Sequence, residues 1–140
     1  MGYEIAPVDV WVAELRNRPG ELARVLNGIV DAGGHLEFIV GRPHDAGSSA
    51  VFVAPLTNEA EIAAGEALGL HRSQSLHAVR VAGPDQSGLG ARVTAIIAKA
   101  GINLRGITAA SIGAKSVLYI RFETEEAANK GVEILQRSLK

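Results

Sequence analysis

GELARVLNGIVDAGGHLEFI, Gly20 to Ile39, and GLGARVTAIIAKAGINLRGI, Gly88 to Ile107, are one segment written twice. At an offset of 68 positions nine residues are identical: Gly20/Gly88, Ala23/Ala91, Arg24/Arg92, Val25/Val93, Ile29/Ile97, Ala32/Ala100, Gly33/Gly101, Leu36/Leu104 and Ile39/Ile107. Unrelated segments share roughly one or two at ordinary residue frequencies. An offset of 67 then aligns Ser49/Ser116, Thr57/Thr124, Glu59/Glu126, Ala60/Ala127, Glu66/Glu133 and Leu68/Leu135, so one residue has been lost in a hairpin between the two blocks. A repeat of this length sets the architecture as two domains, residues 1–72 and 73–140. A domain of that size buries a modest fraction of its surface and is marginal alone. The two are therefore expected to share an interface, within the chain or between chains.

Outward from the repeat, each unit reads in the same order. Val8–Leu15 is rich in β-branched and aromatic residues and predicts a strand. Asn17-Arg18-Pro19-Gly20 breaks it, and a proline suits the first turn of a helix. Leu22, Val25, Leu26, Ile29 and Val30 follow helical spacing on one face, and Gly33-Gly34 ends the helix. Leu36–Val40 predicts a strand, Gly41–Ser48 a hairpin loop and Ala50–Ala54 a strand. Asn58 or Thr57 can cap a second helix that ends near Leu68-Gly69. The second copy gives Ala78–Ala82, a helix over Leu89–Ala100, a strand over Ile102–Ala109, a hairpin at Ile112–Lys115, a strand over Val117–Phe122 and a helix over Thr124–Leu139. The expected class is α+β: two ferredoxin-like (βαββαβ) units with antiparallel sheets.

The fourth strand is the difficulty. His71–Ser75 can supply it for the first unit, but the second has no room for one before Lys140. Gly2-Tyr3-Glu4-Ile5 sits where Gly69-Leu70-His71-Arg72 sits in the other copy. Residues 1–7 are therefore expected to act as an exchanged edge strand completing the second unit, in the same chain or from another. An open sheet edge invites aggregation, which favours such closure.

Composition narrows the chemistry. The net charge of −1 gives nothing to steer nucleic acid or an anionic membrane. There is no cysteine, which excludes disulfides, thiolate metal sites and cysteine nucleophiles. No apolar run reaches the roughly 20 residues of a membrane span, and no secretion signal is visible, so a cytoplasmic location is expected. His35, His44, His71 and His77 form no metal-binding pattern, and no lysine-bearing phosphate loop is present. Serines 48, 49, 73, 75 and 87 have no histidine–acid partners at motif spacing. Glu59, Glu61, Glu66, Glu125, Glu126 and Glu133 fall on the second helix of each unit and read as a solvated face. Arg16 and Arg18 leave an acylphosphatase-like enzyme as a distant alternative. No catalytic residue, metal or cofactor is expected.

The strand, then Asn17-Arg18-Pro19-Gly20-Glu21-Leu22, then an apolar helix ending Ala32-Gly33 and a further strand, resembles the ACT domain family. Asp85-Gln86-Ser87-Gly88 through Ala100-Gly101-Ile102-Asn103 resembles it again, and Gly34-His35 in the first copy departs from the pattern. The resemblance covers almost the whole chain. It implies a non-catalytic, small-molecule-sensing regulatory protein that binds an amino acid or related carboxylate at interfaces between ACT units. It also implies a homodimer, and a partner enzyme or regulator that reads the ligand-induced change.

The candidate ligand-binding residues are Asn17, Pro19, Gly20, Glu21, Leu22 and His35 in the first unit, and Asp85, Ser87, Gly88, Leu89, Gly90 and Asn103 in the second. Around Gly20 and Gly88 a helix begins, and its unpaired N–H groups suit a carboxylate. Asn17 and Asp85 can each accept a hydrogen bond from an ammonium group. His35 and Asn103 open the next strand, where the family tends to place polar contacts. Each has a plainer reading: the glycines as turn formers, Asn17 and Asp85 as caps or turn residues, Asn103 as a local backbone partner and His35 as surface. The alternative for the whole chain is a structural or assembly module that dimerises through paired sheets without ligand.

Overall fold

The computed structural model describes residues 2–74 and 77–139. Twelve elements follow one another: β1 (Glu4–Val8), β2 (Trp11–Arg16), α1 (Glu21–Asp31), β3 (Phe38–Asp45), β4 (Ser48–Ala54), α2 (Glu59–Ala67), β5 (His71–Arg72), β6 (His77–Pro84), α3 (Leu89–Lys99), β7 (Gly106–Ile112), β8 (Lys115–Phe122) and α4 (Glu125–Ser138). They build two α+β units, each an antiparallel four-stranded sheet, in the orders β3-β4-β2-β5 and β7-β8-β6-β1. Asp9–Ser73 packs as one unit; Met1–Val8 packs with Gln74–Lys140 as the other.

The first unit is a complete βαββαβ. In the second, β1 pairs with β6 of its own chain from Glu4↔Ala82 to Val8↔Ala78, taking the place that β5 holds beside β2. The register differs from the sequence alignment by two residues. Val12 pairs with His71, and Arg80, its counterpart in the repeat, pairs with Ala6 rather than with Glu4. A shift of two keeps Ile5 on the core face, beside Val81 instead of Val79. Gln136 Nε2 on α4 donates to the Ile5 carbonyl at 3.1 Å. Pro7 lies on this outer strand, where its missing N–H leaves the edge poorer for pairing.

Two of the nine repeat identities form the centres of the cores. Val25 and Ile29 of α1 are fully buried against Ala13, Val51 and Val53; Val93 and Ile97 of α3 are buried against Val79, Val81 and Leu118. The first strand begins at Trp11, since Asp9 and Val10 connect β1 to β2. β3 and β4 run further than composition suggested. Gly41–Ser48 is not an open loop, because Gly41 and Arg42 pair with Val51 and Ala50 and only Ala46-Gly47 turn. The strands expected from Leu36 and Ile102 begin later, at Phe38 and Gly106. Of the predicted fourth strand, His71 and Arg72 are paired, and Ser75 lies outside the described residues.

Glu61 departs from the solvated face assigned to its helix. It is 5% exposed, and its carboxylate accepts from the Thr57 backbone N–H at 2.9 Å, the Thr57 hydroxyl at 3.1 Å and Asn58 Nδ2 at 2.9 Å. Asn58 Oδ1 in turn accepts from the Glu61 N–H, so α2 starts with a variant of the capping box in which the glutamate closes on the Thr57 N–H and the Asn58 side chain. Among the described residues, no helix is long and apolar enough to cross a membrane.

Candidate functional site

Each unit has a cleft where the chain leaves its first strand and enters its first helix. The turn needs a backbone that only glycine adopts freely: Gly20 has φ 89° and Gly88 has φ 81°. Both stand at the N-cap position, and no side chain caps either helix. Asn17 and Asp85 are therefore not caps. Their backbone N–H groups bond the hairpin turns opposite, Asn17 to the Gly47 carbonyl at 3.0 Å and Asp85 to the Ala114 carbonyl at 2.9 Å. Glycine 88 accordingly makes a poor probe of binding, since any side chain there is strained whatever the room around it.

In the second unit the cleft measures about 280 Å³ and is lined by Asp85, Gln86, Ser87, Gly88, Leu89, Gly90, Ala109, Ala110, Ser111, Ser116 and Leu118. Asp85 Oδ1 accepts from the Ser116 hydroxyl at 2.7 Å and the Ser111 hydroxyl at 3.0 Å. The two hydroxyls lie 2.8 Å apart, because Ser111 and Ser116 are cross-strand partners on β7 and β8. These bonds, that from Ser116 first, hold the Asp85 carboxyl below the usual aspartate range. The first turn of α3 carries no acidic side chain, so its positive end is left for an external anion.

The first unit's cleft, about 260 Å³, keeps the frame and loses the chemistry. Asn17 and Ser49 stand where Asp85 and Ser116 do, but Pro43 replaces Ser111 and Leu22 replaces Gly90. Glu21 occupies the first turn of α1, where Arg24 Nε donates to it at 2.9 Å and Arg18 Nε at 3.2 Å. That helix end already has its own negative charge, and the Arg24 bond foremost lowers the Glu21 carboxyl. Arg16 and Arg42 also border this cleft. Their side chains alternate away from Leu15 and Gly41, and the Arg42 guanidinium lies 5.4 Å from the centre of the Phe52 ring.

A family model described as "ACT domain" matches residues 77–139. The second unit is thus similar to the ACT domain family.

Solved structures share the fold of both units. The protein BT0572 from Bacteroides thetaiotaomicron superposes with a TM-score of 0.78 at 14% identity, covering 95% of this chain and 89% of that one. The regulatory subunit of aspartate kinase from Thermus thermophilus, in its ligand-free form, gives 0.65 at 16% identity over 100% and 98%. The corresponding subunit from Thermus flavus gives 0.56 at 19% identity over 95% of each. No curated protein matches the chain.

Within the ACT frame, Asp85, Ser87, Gly88, Leu89 and Gly90 line one cleft, and Asn17, Glu21 and Leu22 line the other. Pro19 and Gly20 shape the first turn without lining its cleft. His35 and Asn103 are exposed beyond the C-terminal ends of α1 and α3, and line neither. Ser111 and Ser116 escaped the sequence reading. The Ser49/Ser116 identity within the repeat was the available signal, but its meaning depends on which strand lies opposite. Among the described residues no group of three or more His, Cys, Asp and Glu side chains is placed to hold a metal ion.

Replacing Ser116 with Ala removes the shorter of the two bonds to Asp85. The Asp85 titration midpoint, followed through its carboxyl carbon resonance, is expected to rise toward the ordinary value of about 3.9. The sign follows from the depressed native value, which favours the carboxylate. An unmoved midpoint would contradict the assigned cause.

Proposed function

We propose that this protein is a non-catalytic sensor that takes up an amino acid or related amino carboxylate, with the second unit's cleft as its principal site. The observation that carries this reading is the Asp85 carboxylate, oriented by Ser111 and Ser116 in the same cleft as the open N-terminus of α3. The ligand's ammonium group meets Asp85, and its carboxylate meets the first N–H groups of α3. The family's site between ACT units would add contacts from a second unit, for which His35 and Asn103 remain candidates. Binding shifts the pairing of units or protomers only insofar as the ligand prefers one arrangement. A partner enzyme or regulator then reads the change. The fold likeness to regulatory subunits of aspartate kinase supports a regulatory role.

Thermal unfolding against a panel of amino acids at millimolar concentration tests the reading. A ligand at a hundred times its dissociation constant adds about 2.7 kcal/mol to the stability of the folded state. One or a few selective stabilisers are expected, with their effect lost in Asp85→Asn. A flat panel would count against amino-acid sensing.

A second reading, assembly without ligand, has one observation in its favour. β7 is an edge strand without proline, and it exposes Ile107 at 42% and Ile112 at 83%. A homodimer joined along that edge would cover both. Concentration-dependent association with a flat ligand panel would favour it.

A further inference from the structure

We propose that Tyr3, on the N-terminal strand, is a positioning residue for the Asp85 cleft, so that docking of β1 and the geometry of the cleft are coupled. The inference rests on the reading of that cleft as the ligand site, but its test does not. Tyr3 lies one position beyond the β1 ladder, on the same face as Ile5. Its ring packs on Gly83, where an added Cβ would overlap it. Its hydroxyl donates to the Pro84 carbonyl at 2.9 Å.

That carbonyl belongs to the peptide plane whose N–H is on Asp85, and the Asp85 N–H donates to the Ala114 carbonyl at 2.9 Å. One rigid peptide unit is thus pinned from both sides, by β1 through its C=O and by the β7–β8 turn through its N–H. The plane immediately precedes the Cα of Asp85, so tilting it swings the carboxylate relative to Ser111 and Ser116. The first unit has no such clamp. There the equivalent plane joins Arg16 and Asn17. Its N–H bonds Gly47 at 3.0 Å, while its carbonyl is taken locally by the Arg18 N–H at 2.9 Å. Leu15 fills the position of Gly83. The close approach of a ring and a hydroxyl from the N-terminal strand is specific to the unit that carries the aspartate.

The chain continues from β1 through Asp9 and Val10 directly into β2. A cleft that pulls on Tyr3 therefore pulls on a strand covalently joined to the other unit. Coupling of this kind is reciprocal: whatever loosens β1 loosens the Asp85 plane, and whatever fixes Asp85 tightens β1.

Tyr3→Phe removes the hydroxyl and keeps the ring. In the full chain without ligand, amide exchange of residues 85–89 is expected to accelerate roughly fivefold. The Asp85 titration midpoint should move upward, with the overall unfolding midpoint nearly unchanged. Gly83→Ala, which displaces the ring, should reproduce both local effects. Unchanged exchange and titration in Tyr3→Phe would overturn the proposal. So would acceleration spread evenly over the second unit, which would mark Tyr3 as structural only. Local effects with a flat amino-acid panel would keep the clamp and remove the sensor; a responsive panel with no local effect would do the reverse.

Discussion

Truncation of residues 1–8 is expected to abolish cooperative folding of the second unit while Asp9–Ser73 stays folded. The strand contributes a five-residue ladder to β6, the buried Ile5 side chain, the carbonyl that Gln136 bonds and the Tyr3 contacts. Losing a buried isoleucine side chain alone costs about 2–5 kcal/mol, and a small domain has about 5–15 kcal/mol in total. Removing the ladder as well exposes the β6 edge and uncovers Val79 and Val81. Resolved amide spectra should show one set of dispersed signals, from the first unit, and collapsed signals from the second. A synthetic peptide of residues 2–8 should restore the lost set at high concentration. A truncated chain that melts like the full one would refute the account of β1.

Filling the second cleft from within should separate binding from stability. Gly90 lines that cleft as the second residue of α3, at an ordinary helical φ, with open space where a Cβ would go. Its counterpart Leu22 already projects into the first cleft, 40% exposed. Gly90→Leu copies that arrangement. A leucine in place of glycine inside a helix is favoured by somewhat under 1 kcal/mol, so the melting temperature should hold or rise. The stabilisation by amino acids should disappear. Retained binding in a folded Gly90→Leu chain would move the site away from the α3 N-terminus.

What the sequence disclosed, and what it withheld, follows physical lines. The repeat carried the architecture because the identities at Val25/Val93 and Ile29/Ile97 are core positions, and core positions fix how a helix lies on a sheet. The need for a borrowed fourth strand was legible from counting elements. Its register was not: the alignment placed Glu4 on His71, and a slip of two residues leaves the same side chains facing the core, so the apolar pattern does not distinguish Ile5 beside Val79 from the observed Ile5 beside Val81. Gly41–Ser48 looked like a loop because Gly, Pro and Asp punctuate it, yet an edge strand tolerates all three. Asp85 was legible as a polar residue before a helix, but Ser111 and Ser116 were not. They meet it only through cross-strand pairing some thirty residues away. Glu61 misled because a helix of alanines and glutamates looks solvated, while a variant of the capping box can draw one glutamate inside.

The pairing of Trp11 with Arg72 has a consequence for synthesis on the ribosome. β1 leaves the exit tunnel early, and its partner β6 follows roughly 4–14 s later at ordinary elongation rates over about seventy residues. In that interval the first unit has everything it needs to fold. When it does, residues 11 and 72 become neighbours, and the seventy-residue loop separating β1 from β6 shrinks to a few links. Closing a loop about eight times shorter is easier by roughly 1.8 kcal/mol. The nascent chain thus completes its second half around a splint that its first half has already made.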